Sequence, residues 1–262
     1  MIPEVSIVLP SYRAASIARR SLEQLKGRLP QLFDRWEVIV VDDGAGDFKR
    51  HQWQDDPSVQ LIELPKNMGK GAAVTRGMMT ARGSVRIFTD VDLPYGIETM
   101  ALMAEYITDR GFHVVIGDRT LPGSSYSSEM KIGRRLASAV FSAFVGRVVT
   151  GGFFDTQCGI KAFRGDVADA LFPLVRVNRF ACDVELVYLS LKHRLDIKRV
   201  PVRLQNNTPS SVQLWRDCPR GILDVCRIKF HQVRGDYLSP VLDSIVAKDV
   251  EQLAQKDRML SP

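Results

Sequence analysis

Long apolar runs are missing from this chain of 262 residues. No stretch reaches the roughly 18 residues that a membrane-spanning helix needs, and the longest candidate, Leu136 to Val145, includes two serines. Cysteine is scarce: Cys158, Cys182, Cys218 and Cys226 show no C-x-x-C spacing, which speaks against a zinc site and a disulfide framework. His51, His113, His193 and His231 have no ligand spacing either. Ser11 to Ala15, just after the first predicted strand, has no glycine, so the opening is not a dinucleotide fingerprint. Asn67 to Gly71 lacks the G-x-x-x-x-G-K-[ST] spacing of a P-loop, because Gly71 stands where Ser or Thr would bind Mg²⁺. There is no internal repeat or low-complexity tract. The first strand is expected to start almost at Met1, which would leave no room for a secretory signal, and the scattered cysteines make a reducing cytoplasm the expected compartment.

What is present centres on Ser84 to Tyr95, SVRIFTDVDLPY. Val85, Ile87 and Phe88 form a short apolar run between Gly83 and Pro94, which suits a central strand. Asp90 and Asp92 fall at its carboxyl end. On an extended chain residues two apart project to the same side, so both carboxylates are expected to converge. Two converging carboxylates suit a hard divalent ion, Mg²⁺ or Mn²⁺, completed by substrate phosphates.

The remaining chain alternates strands and helices. Glu4 to Pro10, Trp36 to Val41, Val59 to Leu64 and His113 to Gly117 read as further strands. Ser11 to Leu29, Gly69 to Ala81 and Ile97 to Arg110 read as helices. This order predicts an α/β fold with a mainly parallel sheet and helices on both faces, binding ligands at the strands' carboxyl ends. Asp42, Asp43, Asp90 and Asp92 all reach that edge from different parts of the chain.

Beyond Gly117 the pattern predicts a helix over Met130–Val149 with Arg134 and Arg135 near its start, and a turn and strand over Asp155–Arg164. A helix over Phe180–His193 opening with Asp183 and Glu185, a last strand over Ile197–Leu204, and a basic helix over Pro219–Val233 complete it. Residues 1–235 are expected to form one catalytic domain and 236–262 a helical tail. The net charge of +6 is unevenly placed: Lys192 to Arg234 holds ten Lys or Arg against three Asp, a cluster that implies an anionic partner. A nucleic-acid binder would leave the four edge aspartates without a role.

Several segments in the right order resemble glycosyltransferase family 2, and within it the polyprenyl-phosphate sugar transferases. They are VSIVLPSYR (Val5–Arg13), VIVVDDGAGD (Val38–Asp47), NMGKGAAVTRG (Asn67–Gly77), FTDVD (Phe88–Asp92), DTQCGIKAFR (Asp155–Arg164) and RFACDVELVYL (Arg179–Leu189). The resemblance implies a GT-A-like nucleotide-sugar-binding fold and inverting transfer of a hexose or N-acetylhexosamine from a UDP- or GDP-sugar to a polyprenyl phosphate.

By position, the resemblance puts Pro10, Tyr12, Asp42, Lys70, Asp90 and Asp92 in the donor pocket. It gives Asp90 and Asp92 to the metal, and Arg119, Arg134, Arg135 and Ser138 to the acceptor phosphate. Asp183 and Glu185 are open to two roles, base toward a saccharide or small-molecule hydroxyl or orienters beside a phosphate acceptor. Pro94 departs from the Gln that many mannose synthases carry there. A lipid acceptor implies peripheral docking at the inner, cytoplasmic membrane face, through Pro219–Val233 and the helix holding Leu136–Val145.

Overall fold

The architecture comes from a computed structural model that describes residues 3–48, 56–125, 145–147, 149, 151, 152, 155–179, 181–205 and 214–260, with side chains for 221–255 of the last segment. Seven strands form one sheet: β1 (Val5–Ser11), β2 (Trp36–Asp42), β3 (Val59–Glu63), β4 (Val85–Thr89), β5 (Val114–Asp118), β6 (Ile160–Arg164) and β7 (Ile197–Pro201), in the order β3-β2-β1-β4-β6-β5-β7. All neighbours are parallel except β6, which runs antiparallel to both β4 and β5.

Near-continuous runs such as Val-Ile-Val-Val in β2 are what a strand buried on both faces requires. Alternation then divides the core. Ile7, Leu9 and Ile87 face one layer with α1 (Ala15–Arg28) and α3 (Ile97–Thr108), while Val8 and Phe88 face α2 (Lys70–Thr80), α4 (Gly165–Leu171) and α5 (Cys182–Lys192). Ala18, Ser21, Leu22 and Leu25 are the buried stripe of α1, and Pro30 takes the chain into a short 3₁₀ turn.

Two long helices follow, α6 (Leu214–Arg234) and α7 (Pro240–Leu260). Helix α7 is tied to the body by the Arg164 and His113 contacts to Asp249 (both 2.7 Å) and by His193 Nδ1 to Asp243 (2.8 Å).

Apart from the helix over Met130–Val149, the expected elements are present with shifted ends, and α4 is an addition. β7 stops at Pro201, which has no N–H to continue a ladder. The apolar residues of the basic helix divide between two faces. Val225 and Ile228 are buried, whereas Ile222, Leu223, Phe230 and Val233 are exposed, because at about 100° per residue these sets fall on different faces. The predicted helix over Met130–Val149 lies outside the described residues up to position 144; residues 145–147 are helical.

Candidate active site

The direction of β6 decides what gathers at the sheet's carboxyl edge. Parallel β1, β2, β4 and β5 deliver their last residues there, and antiparallel β6 delivers its first, so Asp155 to Gly159 join Asp42, Asp90 and Arg119 at one rim.

Asp90 and Asp92 are not on extended chain. β4 ends at Thr89, and the Leu93 N–H donates to the Asp90 carbonyl at 3.0 Å, closing a turn in which Leu93 has φ of 50°. The turn, and not strand alternation, brings the carboxylates together. Gly159 fits against this turn: its carbonyl accepts from the Asp90 N–H at 3.2 Å, and a Cβ on it would lie 2.0 Å from Asp90 Oδ2.

Lys70, the first residue of α2, places Nζ 2.6 Å from Asp90 Oδ1 and 3.8 Å from Asp183 Oδ2. Burial pulls its pKa down, but the fields of Asp90 and Asp183 outweigh burial and hold it above the usual lysine value. Burial raises the Asp92 carboxyl, and the neighbouring Asp90 raises it further. Two carboxylates that burden each other, with an ammonium already drawn to one, fit a divalent ion. Among the described residues no group of three or more His, Cys, Asp or Glu forms a metal cage, so an ion here would draw its remaining ligands from substrate phosphates or water.

The loop carrying Lys70 is fixed from both sides. Asp43 accepts the Met68 and Gly69 N–H groups at 2.7 and 2.8 Å. Gly69 has φ of 103°, and a Cβ on Gly69 or Gly71 would lie 2.4 or 2.6 Å from the Asn178 or Val177 carbonyl oxygen, so glycine lets residues 177–178 sit directly on the start of α2. Asp42 accepts from Ala45 N–H at 3.0 Å and Gly46 N–H at 2.8 Å, shaping the turn after β2. Pro10 is half-buried at the end of β1, and Tyr12 is exposed, with the Arg13 guanidinium 5.2 Å from its ring centre.

Asp183 and Glu185 part company. Residues two apart on a helix point about 200° apart. Asp183 reaches the rim, where it pairs with Lys70 and with Lys161, a fully buried lysine of β6. Glu185 is sealed at 0% exposure, accepting the Arg176 and Val177 N–H groups at 2.9 and 2.8 Å and the hydroxyl of Tyr237. Burial raises its carboxyl, with those hydrogen bonds opposing. It holds the loop that packs on Gly69 and Gly71 and does not join the Asp90 cluster.

Arg119 follows β5 and forms a two-pronged pair with Asp155, Nε to Oδ2 at 3.0 Å and NH2 to Oδ1 at 2.6 Å. Burial alone would lower the Arg119 pKa and raise that of Asp155; the pair outweighs it in both. Arg134, Arg135 and Ser138 lie outside the described residues. Asp155 and Lys161 carry no assigned role in the sequence reading. The signal for the second was a lone lysine inside the apolar strand Ile-Lys-Ala-Phe.

The sequence model of Glycosyl transferase family 2 matches residues 6–172, which is more than half of the chain. The chain belongs to that family. Among curated relatives, a dolichyl-phosphate beta-glucosyltransferase of Dictyostelium discoideum is 27% identical over 246 residues, covering 88% of this chain and 75% of its own. Those of Drosophila melanogaster and Homo sapiens are 32% and 28% identical, each over 76% of this chain and 66% of theirs. Among solved structures, glucosyl-3-phosphoglycerate synthase of Mycobacterium tuberculosis, in complex with Mn²⁺, UDP and glucosyl-3-phosphoglycerate, superposes with a TM-score of 0.60. It is 17% identical, covers 86% of this chain and 80% of its own, and shares the GT-A fold. The chain is thus a nucleotide-sugar-dependent glycosyltransferase.

Proposed function

We propose that this enzyme transfers glucose from UDP-glucose to a polyprenyl phosphate of the dolichyl type, with inversion, at the cytoplasmic face of a membrane. The observation that carries this reading is the joint match to several dolichyl-phosphate beta-glucosyltransferases across most of the chain. The geometry supports it from the chemistry side. A phosphate monoester is largely ionised near neutral pH and attacks an anomeric carbon without a base, whereas a hydroxyl needs one. The two candidate bases are both engaged, Asp183 by two lysines and Glu185 by three donors in a sealed site.

In this reading Pro10, Tyr12 and Asp42 line the nucleotide end of the pocket, and Asp90 and Asp92 hold Mg²⁺ or Mn²⁺. When bound, the ion offsets charge on the departing nucleoside diphosphate. Lys70, the first residue of α2, reaches the same diphosphate with its ammonium. Arg119, oriented by Asp155, offers its planar fork to the acceptor phosphate, and Arg134, Arg135 and Ser138 are proposed as its partners. Residues 1–235 are proposed as the catalytic domain and 236–262 as the tail that carries α7.

No helix among the described residues is long and apolar enough to cross a membrane. Docking is proposed through the outer face of α6, where Ile222, Leu223, Phe230 and Val233 are exposed and Arg227 and Arg234 flank them. Phe230→Asp with Val233→Asp is expected to abolish co-sedimentation with anionic vesicles while leaving turnover of a short-chain polyprenyl phosphate in place.

The test of activity is radiolabelled sugar transfer from UDP- and GDP-sugars with polyprenyl phosphate supplied. Organic-extractable counts from UDP-glucose that disappear with EDTA are expected. Counts only in water-soluble products would move the acceptor to a hydroxyl, and no turnover of any donor would overturn the reading.

A further inference from the structure

Lys161 is the least expected residue near the active site. It is the second residue of β6, paired across the sheet with Phe88 and Ile116, and is fully buried. Its Nζ donates to the Cys158 carbonyl at 2.8 Å, lies 5.4 Å from the centre of the Phe88 ring, and pairs with Asp183 Oδ1. A buried ammonium is costly unless its partners are well placed, so a lysine kept here calls for an account.

The account comes from following the charges outward. Lys161 occupies one oxygen of Asp183; the other, Oδ2, is 3.8 Å from Lys70 Nζ, and Lys70 in turn sits 2.6 Å from Asp90 Oδ1. The signs alternate along Lys161, Asp183, Lys70 and Asp90, and exposure rises from 0% for the Lys161 side chain to 39% for that of Asp90. Lys70 therefore has two anions to choose between. Lys161 neutralises the inner one, which leaves the outer one, Asp90, as the stronger attraction.

We propose that Lys161 is a positioning residue for Lys70, setting through Asp183 how firmly Lys70 is held on Asp90. The consequence is a site whose outer carboxylate is covered by a lysine until a diphosphate arrives to take that lysine over. A divalent ion arriving without nucleotide must compete with Lys70 for Asp90. This inference rests on Asp90 and Asp92 as the metal carboxylates.

The sign of the effect separates this role from simple packing. Without the Lys161 charge, Asp183 attracts Lys70 inward and frees Asp90, so metal affinity rises. Without the Asp183 charge, Lys70 has only Asp90, so metal affinity falls.

The experiment is a Mn²⁺ titration of the full chain without nucleotide, followed by the paramagnetic resonance signal of free ion, with no turnover involved. Lys161→Gln is expected to bind Mn²⁺ about fivefold more tightly and Asp183→Asn about fivefold more weakly. The Lys161→Gln/Asp183→Asn double variant should match Asp183→Asn alone, since Lys161 acts only through Asp183. Should Lys161→Gln fail to fold, Lys161→Met, which removes the same charge, takes its place, and a difference between Asp183→Asn and its double variant still overturns the inference. Weaker binding in both single variants, or a Lys161 effect that persists beside Asn at position 183, overturns the inference while leaving the metal reading intact. Mn²⁺ binding that is absent from the unchanged protein, or indifferent to Asp92→Asn, overturns both.

Discussion

Two polar clusters lie on opposite sides of the first turn of α5, and both are built on buried carboxylates. On one side, Asp183 continues through Lys70 to the half-buried pair Asp90 and Asp92, so the chain of charges opens toward solvent. On the other, Glu185 receives three hydrogen bonds, the last from the fully buried Tyr237 just before α7, and nothing in that cluster reaches the rim. The first cluster retains charge that an arriving ion or phosphate can engage. The second spends its charge on fixing the 176–178 loop against Gly69 and Gly71. Polar burial alone does not distinguish chemistry from architecture; what distinguishes them is whether the network ends at a group that solvent, and so a ligand, can reach.

The contrast can be broken most forcefully at Asp92. Asp92→Ala is expected to cut transfer by at least about a hundredfold, on the order of 2.7 kcal/mol of transition-state stabilisation, with an unchanged denaturation midpoint. A matching loss of stability would assign Asp92 to architecture.

Asp155→Asn comes next, because it leaves the partly buried Arg119 without its carboxylate. A loss of about 1–3 kcal/mol is expected in denaturant unfolding, discounted for the solvent that reaches Arg119, together with a higher KM for the acceptor. Its pH dependence has a defined sign. The Asp155 carboxyl lies below its ordinary value of 3.8 in the folded state, so its contribution is present above that pH and is lost as pH falls through the folded pKa. The variant should show a flatter acid limb than the unchanged protein.

Tyr237→Phe has the smallest effect and should separate the clusters most cleanly. Removing one hydroxyl donor from Glu185 is expected to cost about 1–2 kcal/mol of stability, while kcat and donor KM change less than about twofold. A large loss of kcat with stability intact would mean that Glu185 belongs to the chemistry.

Much of this arrangement is legible from residue pattern. Apolar strands ending in Asp42, Asp43 and Asp90 announce a sheet with an acidic carboxyl edge, and Asn67 to Gly71 announces a glycine-dependent loop presenting Lys70. The direction of β6 is not legible, since its five residues look the same read parallel or antiparallel, yet that direction brings Asp155, Gly159 and Lys161 to the site. The roles of Asp183 and Glu185 could not be separated either. Their difference is made by Lys161 and Tyr237, which lie 22 and 52 residues away in sequence. In α6, hydrophobic count alone hid a division between Val225 and Ile228, which pack inward, and Phe230 and Val233, which face out.

The most direct test of the acidic edge as the donor site is the anomalous scattering of Mn²⁺ in crystals of the enzyme grown with UDP. The ion is predicted within about 2.3 Å of an Asp92 oxygen, with Lys70 Nζ moved from Asp90 onto the diphosphate. A Mn²⁺ peak remote from Asp90 and Asp92, or UDP bound with Lys70 still on Asp90, would contradict the account.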